Sequence, residues 1–329
     1  MKRIAYRQFG DPAEVCRVEE VPDPGPPGPG EVLIEILAFP INPSDLLVIQ
    51  GRHRTRPSFP AQPGAESVGR VLAVGSAVEG FAPGSLVVPA ARESWVQRRL
   101  LPAASLLAVE AGADPLQLAM LRGLPGTAWY MLEDHAPWLP GGWVLQTAAN
   151  SGVGLCLATL ARARGLKSVN IVRRAGAARA VEEAGGDVVL TEEPVADLAE
   201  RVLAATAGAR PQVAFDAVAG PNTRRLAGCL ADDATVVVYG LLSGQPCELT
   251  AEQLIFHGRS LVGDSLPAAL ARRSAAVVGR DYLALSRLVA AGRLRVPVAA
   301  TYPLAEIGAA LRHAADGGRD GKILVLPNA

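Results

Sequence analysis

The stretch WVLQTAANSGVGLCLATLARARGLKSVNIVRR, residues 143–174, constrains the fold more than any other part of the chain, because its hydrophobic period changes twice. WVLQTA is short and apolar and follows the turn signal Pro140-Gly141-Gly142, so it reads as a buried strand. LCLATLARARG has one apolar helical face, and SVNIVRR is a second strand. A strand that turns directly into a helix leaves the first helical amides unpaired at the positive end of the dipole. Such a turn holds an anion wherever its residues are small enough. Ala148, Ala149, Ser151, Gly152 and Gly154 are small, which makes Ala149-Asn150-Ser151-Gly152-Val153-Gly154 a candidate pyrophosphate cradle. It is a reduced G-x-G-x-x-G: the last two glycines stand, and Ala148 or Ala149 takes the first place. Close helix–strand packing is the other use of such residues.

The second strand ends about twenty residues after the turn, where a dinucleotide fold places the group that meets the adenosine ribose. An NAD site wants a carboxylate there; this chain has Arg173 and Arg174. Guanidinium groups offer paired donors to a 2′-phosphate, so the basic end points to NADPH over NADH. The alternative is two solvated surface charges.

The 329 residues are half hydrophobic, enough for a large core and two domains. Lys and Arg total 32 against 32 Asp and Glu, which gives no basic face for nucleic acid or an anionic membrane. MKRIAYRQFG lacks a signal-peptide core and no apolar run spans a bilayer, so a cytoplasmic protein is expected. Cys16, Cys156, Cys229 and Cys247 are scattered, as are His53, His135, His257 and His313, so neither disulfides nor a metal site is expected. Up to about Val109, short β-rich runs such as EVLIEILAF alternate with Pro/Gly clusters. From about 115 to 265, helical patterns including LQLAMLRGLPGTAWYMLEDH and VADLAERVLAATAG alternate with short apolar strands. That order implies an α/β domain with a parallel sheet covered on both faces. The tail offers the helical pattern DYLALSRLVAAGRL, a second helix and the strand KILVLP.

INPSDLLVIQG (41–51), PGAESVGRVLAVGSAVEGFAPGSLV (63–87), LPGTAW (124–129), LQTAANSGVG (145–154), VVYGLLSGQP (237–246), LIFHG (254–258) and GKILVL (321–326) carry a resemblance along nearly the whole chain. The chain resembles the zinc-independent medium-chain dehydrogenase/reductase superfamily, nearest the mitochondrial-type 2-enoyl thioester reductases and the quinone oxidoreductases. The resemblance implies a GroES-like β domain, 1–118 completed by 267–329, and a Rossmann doubly wound parallel-sheet domain, 119–266. It also implies a homodimer paired through sheet edges, with LVGDSL a candidate edge.

Zinc-dependent relatives carry a cysteine and a Gly-His-Glu motif. Here Pro43 and Ser44 stand at the first position and Ala65 replaces the histidine, although Glu66 remains. The implied reaction is hydride delivery from NADPH to a conjugated double bond, most simply a trans-2-enoyl thioester, followed by protonation. The alternatives are an NADPH:quinone oxidoreductase and a non-catalytic NADPH-binding sensor. The enoyl reductases place a tyrosine after the I-Q-G motif as proton donor; His53 occupies that place here, in GRHRTRP, and is either an acid near neutral pKa or a loop residue. Arg52, Arg54 and Arg56 beside it either meet a phosphorylated carrier or are solvated.

By the same resemblance Asn42 and Asp45 lie near the nicotinamide or orient the active-site loop, an Asx turn being the plainer role for N-P-S-D. Thr127 meets the nicotinamide ribose, Tyr239 and Gly240 lie where the cofactor passes, and Phe256 walls its pocket. Lys322 matches the terminal G-K pattern. No G-x-S-x-G elbow is present, and Ser151 sits in the phosphate turn, which sets hydrolases aside.

Overall fold

The computed structural model describes residues 1–136, 140–193 and 197–329. They divide into two compact units, Met1–Gly123 with Ala275–Ala329, and Leu124–Ser274.

The second unit is built on a six-stranded sheet. Its spatial order is Val188–Thr191, Lys167–Val172, Trp143–Gln146, Val213–Asp216, Thr235–Val238 and Ser260–Gly263, every pairing parallel. Sequence order reverses between Trp143–Gln146 and Val213–Asp216, so the loops at their carboxyl ends diverge and leave a crevice, the usual ligand position in such sheets. The strands are apolar because helices cover both faces. Ile171 packs with Leu145, Leu198, Ala214 and Leu226, while its neighbour Val172 points the other way, to Ala149, Leu155 and Val181. Ser260–Gly263 is one edge of the sheet and is only partly buried. The helix read from VADLAERVLAATAG runs Leu198–Ala205; Val195 and Ala196 lie outside the described residues.

The first unit centres on the strand Glu31–Pro40. Its alternation puts Val32, Ile34, Ile36 and Ala38 in the core, and it pairs antiparallel with Val68–Val74, Arg98–Pro102 and Lys322–Leu326. Val325 stands opposite Phe39, so the last strand of the chain completes a sheet begun near its start. Phe39 stacks on Trp95 at 5.4 Å, deep in the same core.

LQLAMLRGLPGTAWYMLEDH is two helices, Pro115–Leu118 and Leu124–His135, with a turn between them. The turn brings the Gly123 amide to the Glu66 carboxylate (2.5 Å), a contact an unbroken helix would not reach. The units accordingly divide at 123/124 and 274/275, beyond the 118/119 and 266/267 divisions read from sequence. Gln117 holds Val296 at 3.0 and 2.8 Å, which fixes the Pro115–Leu118 helix in the first unit. Arg272 pairs with Asp134 at 2.6 Å, which keeps the segment after 266 in the second.

Ile34 is fully buried and packs where Gly69 has no side chain. Ile34→Ala should destabilise the first unit by about 3 kcal/mol through lost burial and a cavity. Urea unfolding followed by Trp95 fluorescence measures it, and a loss under about 1 kcal/mol would contradict this packing.

Candidate active site

In the second unit the chain leaves Trp143–Gln146 through a turn whose first residue, Ala148, adopts φ 47°. Ala148 therefore takes the left-handed conformation that glycine holds in the full fingerprint, at a cost of about 1 kcal/mol for a residue with a Cβ. Ser151 caps the helix Gly152–Ala163 by accepting from the Gly154 amide at 3.1 Å. The amides of Gly152 and Val153 precede any intrahelical partner. A Cβ on Gly154 would stand 2.5 Å from the Ala149 carbonyl oxygen, so only glycine lets the helix cross the strand end this closely. Beneath the turn, Gln146 Nε2 donates to the Gly154 carbonyl (3.0 Å) and to Asn170 Oδ1 (2.6 Å), which ties the cradle to the next strand. Asn150 is exposed at its rim and Ala149 is buried.

Arg173 and Arg174 follow Lys167–Val172, both exposed, and neither has an acidic partner among the described residues. Across the crevice, the fully buried Asp216 ends its strand without a cation. Its carboxylate accepts from Thr147 Oγ1 (2.6 Å), Val218 N (2.9 Å), Ala219 N (3.0 Å) and Asn222 Nδ2 (3.0 Å). This joins the turn after the first strand to the loop after the fourth, where Gly240 lies against the Ala217 backbone too closely for a side chain. The Tyr239 hydroxyl is buried with no hydrogen-bond partner. It lies near Ser151 but outside bonding geometry, and burial, with Asp216 nearby, raises its pKa. Thr127 and Tyr239 line one small cavity of about 10 Å³ with Tyr130, Met131 and Asp264, so the fold does bring these two together. Phe256, by contrast, is 77% exposed, with Leu254 and Ile255, at the end of the helix Ala251–Ile255.

A separate polar cluster occupies the first unit, where Asn42 begins the helix Pro43–Ile49. Asn42 and Asp45 form a reciprocal capping box at its start, Asp45 accepting from the Asn42 amide at 3.0 Å, and the Asn42 side chain also reaches partners beyond its own helix. Its Nδ2 donates to Glu66 Oε1 (2.7 Å) and its Oδ1 accepts from Lys322 Nζ (2.6 Å). The second Glu66 oxygen accepts from Gly123 N. All four side chains are buried: Asn42 7%, Asp45 1%, Glu66 1% and Lys322 6% exposed. Burial raises the carboxyl pKa values of Asp45 and Glu66. It lowers Lys322 from lysine's ordinary 10.5 to about 8, with Glu66 opposing. Asp45 Oδ1 has no hydrogen bond of good geometry among the described residues, with the Ala65 backbone close by.

His53 lies half-buried in the loop beyond this helix. Its Nδ1 accepts from the Thr55 amide at 3.0 Å, which leaves the ring proton on Nε2. Burial, then Arg92 and Arg54, lower its pKa below histidine's 6.5. Reading the sequence missed Glu66 as a partner of Asn42, and missed Asp216 altogether. The acid ending VAFD was the available sign of the second.

Residues 28–103 match the family model described as alcohol dehydrogenase GroES-like domain, and 152–277 the one described as zinc-binding dehydrogenase. The mitochondrial enoyl-[acyl-carrier-protein] reductase of Rattus norvegicus is 34% identical over 318 residues, covering 94% of this chain and 84% of that protein. The chain belongs to the medium-chain dehydrogenase/reductase family. Among solved structures of the family, a putative NADPH:quinone reductase from Bacillus thuringiensis is similar at TM-score 0.88 and 27% identity, covering 99% of this chain and 98% of that one. The Escherichia coli quinone oxidoreductase, solved with NADPH, is similar at 0.84 and 27%, covering 99% and 100%. Despite the description of the second family model, no three His, Cys, Asp or Glu side chains gather to hold a metal ion among the described residues. Among the described residues the donors do not fit zinc.

The buried Lys322 titration has a definite sign. Between about pH 8 and 10.5 the unfolded lysine holds a proton that the folded one has released, so stability rises with pH in that window. Relative to Lys322→Met, which cannot titrate, the wild type should gain stability from pH 8 to 10 in urea unfolding. A flat difference would argue against the lowered Lys322 pKa.

Proposed function

We propose that this oxidoreductase uses NADPH to reduce the conjugated double bond of a trans-2-enoyl thioester. The observation that carries the cofactor is the pair Arg173 and Arg174, two exposed guanidinium groups without acidic partners among the described residues, at the strand end where an NAD-binding chain needs a carboxylate. Three further features fit a dinucleotide: the first-turn amides of Gly152 and Val153, the bare Gly154, and the buried Tyr239 hydroxyl left without a partner. The relative named as an enoyl-[acyl-carrier-protein] reductase, similar across 94% of the chain, supports the thioester acceptor.

In this reading the cradle from Ala149 to Gly154 holds the pyrophosphate and the two arginines take the 2′-phosphate. Thr127, Tyr239, Gly240 and Phe256 are assigned to the nicotinamide end, and Asn42, Asp45 and Lys322 to the interior that supports the acceptor. When bound, NADPH supplies the hydride, which goes to the β carbon of the enoyl group. The α carbon then takes a proton, and His53 Nε2 is the donor assigned. Only the imidazolium can donate usefully, so a lowered pKa makes His53 a stronger but scarcer acid at neutral pH. That scarcity is the one feature favouring the second reading, an NADPH:quinone oxidoreductase, which needs no dedicated acid.

We also assign a homodimer, since Ser260–Gly263 leaves a sheet edge open to pair with a second copy. The described residues contain no helix long and apolar enough to cross a membrane. The buried Cys16 and Cys229 form no disulfide among the described residues, which suits a reducing compartment, and the cytoplasm is the location adopted.

The joint change Arg173→Ala and Arg174→Ala should raise KM for NADPH at least about tenfold, a loss of about 1.4 kcal/mol, and leave NADH use near wild type. Steady-state kinetics with both cofactors test it; equal weakening of the two would remove the 2′-phosphate assignment. With crotonyl-CoA, turnover should fall as pH rises through a pKa below 6.5 and collapse about a hundredfold in His53→Phe. Turnover of a small quinone that ignores His53, with crotonyl-CoA untouched, would favour the quinone reading instead.

A further inference from the structure

The buried cluster around Asn42 is expensive for a structural device. Two carboxyl groups and one ammonium are withdrawn from water, and the Asn42 side chain reaches beyond its own helix to two of them. Apolar side chains of similar volume would generally hold such a core as well or better, so the polar set calls for another explanation. The geometry supplies one. An amide is nearly symmetric in shape, but here an acid accepts from its nitrogen and an ammonium donates to its oxygen, so only one of its two orientations is satisfied.

From Asn42 backbone hydrogen bonds hold the chain as far as Arg52, which is bonded covalently to His53. The Asn42 carbonyl accepts from Asp45 N (2.9 Å) and Leu46 N (3.3 Å), and the Leu46 carbonyl from Gln50 N (2.9 Å). The Leu47 and Val48 carbonyls accept from Arg52 N (2.8 Å) and Gly51 N (3.0 Å). Arg56 folds back onto the Gly51 carbonyl and over the Phe9 ring at 5.3 Å, and Thr55 N completes the loop by donating to His53 Nδ1. A helix of seven residues is about 10 Å long and stiff at this length, so what fixes its start fixes the loop at its end.

We propose that Glu66 and Lys322 are positioning residues: clamping the Asn42 amide between them, they set the Pro43–Ile49 helix and thereby the placement of His53. This rests on the reductase reading for its kinetic consequence, but the placement itself is measurable without turnover. The charged groups facing His53 are Arg54 from its own loop and Arg92 from the segment after the strand Leu86–Pro89, and Arg92 also acts on Asp45 and Tyr6. A shift of the loop changes its distance from Arg92, so the histidine's titration reports its position.

The test uses Lys322→Met, Glu66→Gln and Gly123→Ala. The last presses on Glu66 without altering any charge, because a Cβ there would stand 2.8 Å from the Glu66 carboxyl carbon. In full-length protein, NMR titration of His53 should move toward 6.5 by at least half a pH unit in each variant. With whichever acceptor the wild type reduces, kcat should fall at least tenfold while KM for NADPH stays within about twofold. Variants that melt at lower temperature yet keep the wild-type His53 titration and kcat would overturn the proposal and leave the cluster purely structural. If the titration moves but the wild type reduces neither thioester nor quinone, positioning stands and the reductase reading fails. Lys322→Arg, which keeps the donating charge, should hold both readings near the wild-type values and so support the clamp.

Discussion

The hydrogen bond from the Lys322 ammonium to Asn42 is the interaction on which the interior of the first unit depends. It joins residues 280 positions apart and satisfies one end of the amide whose other end holds Glu66. Glu66 in turn holds the Gly123 amide, at the turn where the chain leaves this unit. Without the ammonium, the buried Glu66 would keep the Asn42 amide but lose the larger of its two opposing charges, with Arg122 the other. That is the arrangement in which buried ionic groups become most destabilising. The strand Lys322–Leu326 has two tasks because of this: Val325 and its apolar neighbours close the sheet beside Phe39, and the first residue of the strand carries the charge inward.

The second unit depends on close backbone approach rather than on charge. At Gly154 the helix crosses the strand end, and at Gly240 one loop lies against another, so that small residues shape the crevice from both sides. Asp216 holds the two sides together through four neutral donors. A carboxylate so supplied needs no cation, and its donors come from the loops after two strands and from Asn222 at the start of the helix Asn222–Cys229. The polar groups of this unit thus fix backbone, whereas those of the first unit fix a side chain.

Local signals in the chain were the ones legible beforehand. Strand, turn and helix at 143–163 follow from period and residue size, and the basic strand end at Arg173 and Arg174 from position alone. The inward set Val32, Ile34, Ile36 and Ala38 follows from alternation. LQLAMLRGLPGTAWYMLEDH misled, because an unbroken helical pattern does not reveal that Gly123 is needed by a carboxylate 57 residues earlier. N-P-S-D does open the helix as its local chemistry indicates, but that chemistry cannot foresee the further partner pair from elsewhere in the chain.

The sequence by itself determined the kinds of element, the phosphate-sized turn and the charge at its far end, since each depends on residues within about one helical turn or one strand of each other. Only the tertiary structure decided which polar groups are buried together, that Lys322 faces Asn42 and not solvent, that Phe256 is exposed, and which tautomer His53 holds. The physical reason is one of range. Periodicity and turn chemistry are written in neighbouring residues, but desolvation and hydrogen-bond partnership are set by whatever the fold brings within about 3 Å.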